Sequence, residues 1–189
     1  MVAPILAVSG PSGAGKTTVG RIVASTFELS VHIQIDVFMP FVVNGWIDPW
    51  LPEAAEQNHV LGGATASAAM QFAAGGYLVI LDGNLFPDGV DGLEQACRSR
   101  KIPLHYVVLR PDLATCLGRA SNRVASGLVG RPEYANVADP RLIADQYARF
   151  ADLGKYEKHV VHVAGQPNEV ANTVISAFTG GALAVTVNA

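Results

Sequence analysis

Gly10-Pro11-Ser12-Gly13-Ala14-Gly15-Lys16-Thr17 is the stretch that most narrows what this chain of 189 residues can become. An apolar run, Ile5-Leu6-Ala7-Val8, precedes it, and Thr17 to Ala24 reads as an amphipathic helix after it. The order is strand, loop, helix. The octapeptide fits G-x-x-x-x-G-K-[ST], a spacing with a physical reason: glycines let the backbone curl until successive N–H groups face a phosphate chain. The helix that begins there adds unpaired amides and the positive end of its dipole. Gly10, Pro11, Ser12, Gly13, Ala14, Gly15, Lys16, Thr17 and Thr18 are therefore the candidate nucleotide-binding set. Within it, Lys16 is expected to reach the β- and γ-phosphates as a point charge, and Thr17 to offer its hydroxyl to Mg²⁺. A plain tight turn carrying a surface lysine is the competing reading, and the flanking strand and helix weigh against it.

Length and composition then set limits. The chain is long enough for one well-covered α/β domain and short for two, so residues 1–189 are expected to form one unit. Half the residues are apolar and 15% are charged, which argues against long disordered stretches. A net charge of −3, with the basic side chains dispersed, leaves no electrostatic footprint for general nucleic-acid binding. Cys97 and Cys116 have neither the number nor the spacing of a disulfide framework or a zinc site, and both read as small core residues. Val2 to Val8 is apolar but lacks the basic start of a signal peptide and serves better as a first strand. No stretch approaches the roughly 18 apolar residues of a membrane span, so a soluble, reducing, cytoplasmic setting is expected.

Strand and helix patterns alternate along the rest of the chain. Val31-His32-Ile33-Gln34-Ile35 has a strand's period and ends at Asp36, and Tyr77 to Leu81 is a continuous apolar run ending at Asp82. Leu104–Leu109 and His159–Val163 are the remaining strand patterns. Helices are expected over Val60–Ala74, closed by Gly75-Gly76, then Asp88–Arg100, and from an Asp112 N-cap to about Ala125. Two more are expected over Pro140–Leu153 and Pro167–Phe178. Residues 37–60 are aromatic, proline-rich and irregular, 126–137 read as a flexible loop, and 180–189 as either an added strand or a frayed tail. The alternation implies a mostly parallel sheet covered by helices on both faces.

Taken together, GPSGAGKT, the Asp36 of HIQIDVF, the LDGN segment at Asp82 and the arginines of LATCLGRASNR resemble the P-loop small-molecule kinases. That group holds shikimate and gluconate kinases, chloramphenicol phosphotransferase, the zeta-type toxin kinases and AAA-type ATP-binding proteins of unassigned substrate. The resemblance covers most of residues 2–178, and only the first motif is specific by itself. It implies a three-layer αβα P-loop NTPase fold with a parallel five-stranded sheet in the order 2-3-1-4-5. It also implies an ATP- and Mg²⁺-dependent phosphotransferase acting on the hydroxyl of a small metabolite or antibiotic-like molecule. The competing functions are a nucleotide-dependent switch or regulatory protein and a polynucleotide-end kinase. The absence of N-K-x-D weakens the switch if it is a GTPase, and the net acidity weakens the polynucleotide kinase.

By that resemblance Asp36 faces the acceptor hydroxyl as a general base; a Mg²⁺-shell role and a turn-capping role stay open beside it. Asp82 resembles the Walker-B carboxylate and, with Thr17, forms the candidate metal set. Gly83 follows it where motor ATPases place glutamate, which favours transfer to an organic hydroxyl over water. The LDG fragment resembles nucleoside monophosphate kinases, but Asn84-Leu85-Phe86-Pro87 lacks their arginine. Arg119, Arg123 and Arg131 are implied to sit on a lid over the phosphates, with Arg123 also counted as catalytic and Arg149 a weaker candidate; a solvated basic face is the alternative. Ala164-Gly165-Gln166 is where the family seats the adenine edge. Phe38, Phe41, Trp46, Trp50 and Asn84, with Asp36, are the candidate acceptor residues, and Glu53, Asn58 and His59 are further hydrogen-bonding candidates; for each aromatic, simple packing competes. His32, His105, His159 and His162 read as structural. No sequence feature sets an oligomeric state.

Overall fold

Residues 2–125 and 139–185 are described by a computed structural model of the chain, with the side chains of residues 123–125 outside that description. The sheet is built from β1 (Ile5–Ser9), β2 (Ser30–Gln34), β3 (Leu78–Asp82), β4 (Leu104–Leu109) and β5 (Val160–Val161), all parallel, in the order β2-β3-β1-β4-β5. The order is the one implied by the resemblance. Every residue of β1 and β3 is buried, which is why their sequences run apolar without alternation. Their side chains still divide by parity. Leu6 and Val8 pack with Ile80, Val107 and Leu109 against α1 (Lys16–Ser25) and α6 (Pro167–Thr179). Ile5, Val79, Leu81 and Leu104 face α2 (Ala55–Ala74) and α3 (Pro87–Ser99) on the other side. Two apolar layers on one sheet leave its carboxyl-terminal edge as the place where loops converge.

The remaining helices are α4 (Leu113–Ala125) and α5 (Pro140–Arg149). Side-chain caps fix the starts of the last three described helices: the Asp112 carboxylate accepts from the Thr115 N–H at 2.7 Å, and Asp139 accepts from the Arg141 N–H at 2.8 Å ahead of Pro140. Gln166 and Glu169 form a reciprocal capping box at α6, with Pro167 at its first position. Among the described residues no helix is long and apolar enough to cross a membrane.

Several boundaries differ from the sequence expectation, each for a local reason. β2 stops at Gln34, and Ile35 and Asp36 enter a 3₁₀ turn, Ile35–Phe41, so Asp36 lies two residues past the strand rather than at its last position. A second 3₁₀ turn, Pro52–Ala54, feeds directly into α2, which therefore starts five residues before Val60. α5 ends at Arg149 rather than Leu153, and β5 is confined to two residues because a 3₁₀ turn holds Gly154–His159. The chain after α6 is neither a full strand nor frayed through residue 185. The Tyr106 N–H bonds the Leu183 carbonyl and the Val185 N–H bonds that of Leu104, with Ala184 bridging His105 antiparallel. Because β5 pairs only with Val108 and Leu109, this segment covers the part of the β4 edge that β5 leaves open.

Candidate functional site

The glycine-rich loop sits between β1 and α1 at the carboxyl-terminal edge of the sheet. Gly10 and Gly13 have φ of +138° and +81°, and a Cβ on either would fall 2.2 Å from the Leu109 carbonyl oxygen or 2.3 Å from that of Cys116. Only glycine fits both the conformation and the space. The ammonium of Lys16 donates to the carbonyls of Gly10 at 2.8 Å and Pro11 at 3.0 Å, so the side chain curls over the loop it belongs to. Arg119, on α4, reaches the same loop from outside, with Nη1 at 3.3 Å from the Ala14 carbonyl. Beneath the loop Cys116 is fully buried; burial pushes its thiol up, against the downward pull of Lys16 and Arg119. Cys97 is likewise buried and pushed up to about 11, so both cysteines are inert core groups.

Beside the loop lies a cavity of about 250 Å³ lined in part by Gly13, Gly15, Thr18, Arg119, Val163 and Gly165. The outer half of the phosphate loop and the turn after β5 thus share one hollow. The Ala164-Gly165-Gln166 turn keeps its shape through Gly165, at φ +91°, whose missing Cβ leaves room for the Glu169 carboxylate. Walls that are mostly backbone and small apolar side chains, with one guanidinium at the rim, suit a flat heteroaromatic ring.

On the other side of the loop Asp82 ends β3 with its side chain 4% exposed. Its Oδ1 accepts from the Thr17 hydroxyl at 3.3 Å, and its Oδ2 accepts from Nε2 of His32, a residue of β2. A hydroxyl and a carboxylate are hard oxygen donors of the kind Mg²⁺ takes. Among the described residues no group of three or more His, Cys, Asp and Glu side chains is placed to hold a metal alone. Two protein oxygens therefore fit an ion that completes its shell with waters and phosphate oxygens.

Asn84 follows on the same edge and is tied to α5. Its Nδ2 donates to Gln146 Oε1 at 3.1 Å, and the same oxygen accepts from the Ser12 hydroxyl at 2.7 Å. Gln146, on α5, thereby joins the phosphate loop to the segment after β3. Arg149, one turn further along, lies with Cζ 3.4 Å from the Phe86 ring centroid, and so stacks on an aromatic face.

The acceptor candidates are dispersed. Asp36 is exposed in the 3₁₀ turn after β2, where Ile35 packs against Gly83 so closely that a Cβ there would be 2.7 Å away. Phe38 and Phe41 meet edge to face at 5.5 Å, yet Phe41 is 71% exposed, and Trp50 is also exposed. Trp46 is half-buried, its Nε1 donating to Asp48. Phe38, like Trp46, is half-buried, so the four aromatics differ in how far they reach solvent. Asn58 holds the Pro49 carbonyl at 2.7 Å, which makes it a brace for this segment, while Glu53 and His59 are exposed. Arg123 lies on α4 with its side chain outside the description; Arg131 and the 126–137 loop lie outside the described residues.

Two residues at the centre of this geometry are not among the candidates from sequence: Gln146 has no motif, and His32 reads there as structural. His32 alternates like any half-buried strand residue, and Gln146 sits among polar residues of an amphipathic helix. The signal for His32 is the parallel pairing Gln34↔Asp82, which becomes visible once the sheet is assembled.

Comparison with known proteins adds the lineage. Residues 5–152 match the family model AAA_33, described as an AAA domain. None of the curated proteins compared with the chain matches it. The tunicamycin resistance protein of Deinococcus radiodurans is 18% identical with a TM-score of 0.61, covering 98% of this chain and 99% of its own. A gluconokinase from Sinorhizobium meliloti is 18% identical with a TM-score of 0.60, covering 96% and 94%. The Mycobacterium tuberculosis APS kinase, solved with AMPPNP and APS, is 16% identical with a TM-score of 0.67, covering 94% and 98%. At such identities the likeness is one of fold.

Proposed function

This chain belongs to the AAA domain family, and from that membership we propose that it is an ATP- and Mg²⁺-dependent kinase of a small-molecule hydroxyl. The observation that carries the reading is the convergence of Lys16, Thr17 and Asp82 on one glycine-rich turn at the carboxyl-terminal edge of a parallel sheet. Kinases of sugars, gluconate and APS among the proteins of like fold support it.

In this reading the adenine ring occupies the cavity between Gly13–Gly15 and Gly165, and the phosphates run over the loop amides from Gly10 to Thr18. Lys16 exchanges its two carbonyl partners for β- and γ-phosphate oxygens, a swap that keeps its ammonium hydrogen-bonded while giving its charge an anionic partner. Arg119 closes the nucleotide side, and Arg123 and Arg131 supply further positive charge as the γ-phosphoryl develops its own negative charge. Thr17 and Asp82 are the residues that would hold Mg²⁺, which would neutralise negative charge on the phosphates when bound.

Transfer forms a bond between the acceptor oxygen and the γ-phosphorus as the bond from that phosphorus to the β–γ bridging oxygen breaks. Asp36 takes the hydroxyl proton, and ADP leaves with the bridging oxygen. Residues 37–60 form the acceptor-binding insertion, and 126–137 the lid. Phe38, Phe41, Trp46 and Trp50 offer apolar area there, favouring an acceptor with a hydrophobic face. Asn84, whose amide is oriented by Gln146, supplies a polar contact to the acceptor in this reading.

The test is a panel of hydroxyl compounds screened by thermal shift with a non-hydrolysable ATP analogue, followed by acceptor-dependent ADP release. Release of ADP that rises with one acceptor and vanishes in Asp36→Asn is the expected result. Nucleotide binding without any turnover across the panel would favour a regulatory switch.

A further inference from the structure

His32 is treated by the sequence as an ordinary strand residue, yet it touches the carboxylate at the centre of the site. Its Nε2 donates to Asp82 Oδ2 while Thr17 donates to Oδ1, so both oxygens of one nearly buried carboxylate have a fixed hydrogen-bond donor. The fold makes room for this. In the β2–β3 register His32 stands beside Ile80 and Gln34 beside Asp82, placing residues 32, 34, 80 and 82 on one face of the sheet. α1 covers that face with Thr17 and, one turn later, Gly20. A Cβ on Gly20 would stand 3.1 Å from His32 Nε2 and 3.3 Å from Ile80, tighter than ordinary contact with both. Glycine is a poor choice inside a helix, and at this position the imidazole occupies the space that a larger side chain would need.

We propose that His32 is a positioning residue for the magnesium site, one that locks the Asp82 carboxylate so that its other oxygen takes the Thr17 hydrogen. With that hydrogen engaged, the lone pairs of Thr17 Oγ1 are left for the cation. Without the imidazole, Oδ2 is a nearly buried oxygen lacking this donor, and the carboxylate turns to find another. Groups behind metal ligands commonly set metal affinity in this way. The inference rests on the proposed nucleotide and Mg²⁺ binding.

The experiment titrates Mg²⁺ by calorimetry into wild type, His32→Leu and His32→Gln, each saturated with a non-hydrolysable ATP analogue, after metal-free nucleotide affinity is measured for all three. His32→Leu should weaken Mg²⁺ by about tenfold or more, with metal-free nucleotide affinity changed less than about twofold. His32→Gln, which keeps a donor of similar reach, should recover most of the loss. Equal Mg²⁺ affinity in wild type and His32→Leu, or no recovery in His32→Gln, overturns the assignment. If His32→Leu does not fold, Gly20→Ala decides by displacing the imidazole with its chemistry intact: it should weaken Mg²⁺, and unchanged affinity overturns the proposal. A wild type that binds nucleotide with no response to Mg²⁺ also overturns it, whereas a wild type that binds no nucleotide removes the functional reading first.

Discussion

At the scale of single residues, the phosphate loop is held open by what its glycines lack. Alanine at position 13 would need a left-handed backbone and would drive its methyl into the Cys116 carbonyl. The strain alone is worth roughly 1–3 kcal/mol, so Gly13→Ala should lower the unfolding free energy by about 2 kcal/mol or more and abolish nucleotide binding. Denaturant melts and calorimetry on one preparation check both effects; a variant as stable as wild type would contradict the backbone argument. Asp36→Asn separates roles differently. It removes a proton acceptor at little change in shape, so turnover should fall far more than ATP affinity, and equal turnover would reject the base assignment. The loop is legible in the sequence because its spacing is itself the signal, and Asp82 because it closes a continuous apolar strand run. His32 and Gln146 are not, since each acts on a residue 50 or more positions away that only the assembled sheet brings near.

Helices and turns come next, and here α2 and α5 act as clamps. Gln57 bonds both the N–H and the carbonyl of Ile47 with one amide, and Asn58 holds Pro49, so the start of α2 staples the irregular aromatic segment. Gln57→Ala should speed hydrogen exchange and proteolysis of residues 42–51 while leaving the melting temperature within a few degrees; unchanged exchange there would show that the aromatics hold the segment by themselves. The same contacts explain why the sequence misplaced the start of α2. Glutamine, asparagine and glutamate before Val60 carry no apolar periodicity, and the helix extends through them as Gln57 and Asn58 bond the segment behind them. Boundaries set by internal signals fared better: Gly75-Gly76 ends α2 as expected, and Leu104–Leu109 matches β4 residue for residue.

For the molecule as a whole, the sheet order follows the resemblance and the alternation of strands with helices, whereas the β4 edge was undecided until its partners were known. Leu183 is 3% exposed and the backbone around it completes that edge. Removing residues 182–189 should therefore cost about 2 kcal/mol of stability from the leucine alone, and a truncated chain that melts like the intact one would contradict the pairing. The pH dependence is also global. Burial pushes the imidazoles of His105 and His159 down, and Nδ1 of each has no hydrogen-bond partner among the described residues. A depressed folded pKa means that the unfolded chain binds the extra protons first, so stability is fully present above about pH 6.5 and declines as the pH falls toward the folded pKa. Melting temperature should drop between pH 7 and 5 with proton uptake on unfolding, and a flat profile would show that neither ring stays neutral in the fold. The function proposed for the whole fold depends on the loop from Gly10 to Thr17 gripping a triphosphate through its backbone and Lys16. Calorimetric titration of ATP with Mg²⁺ into wild type and Lys16→Ala tests it directly. Wild type should bind, with a loss of at least about 2–3 kcal/mol, roughly 30- to 150-fold or more, in a variant that melts normally; no binding by wild type, or equal binding by both, would overturn the phosphate-gripping role of the loop.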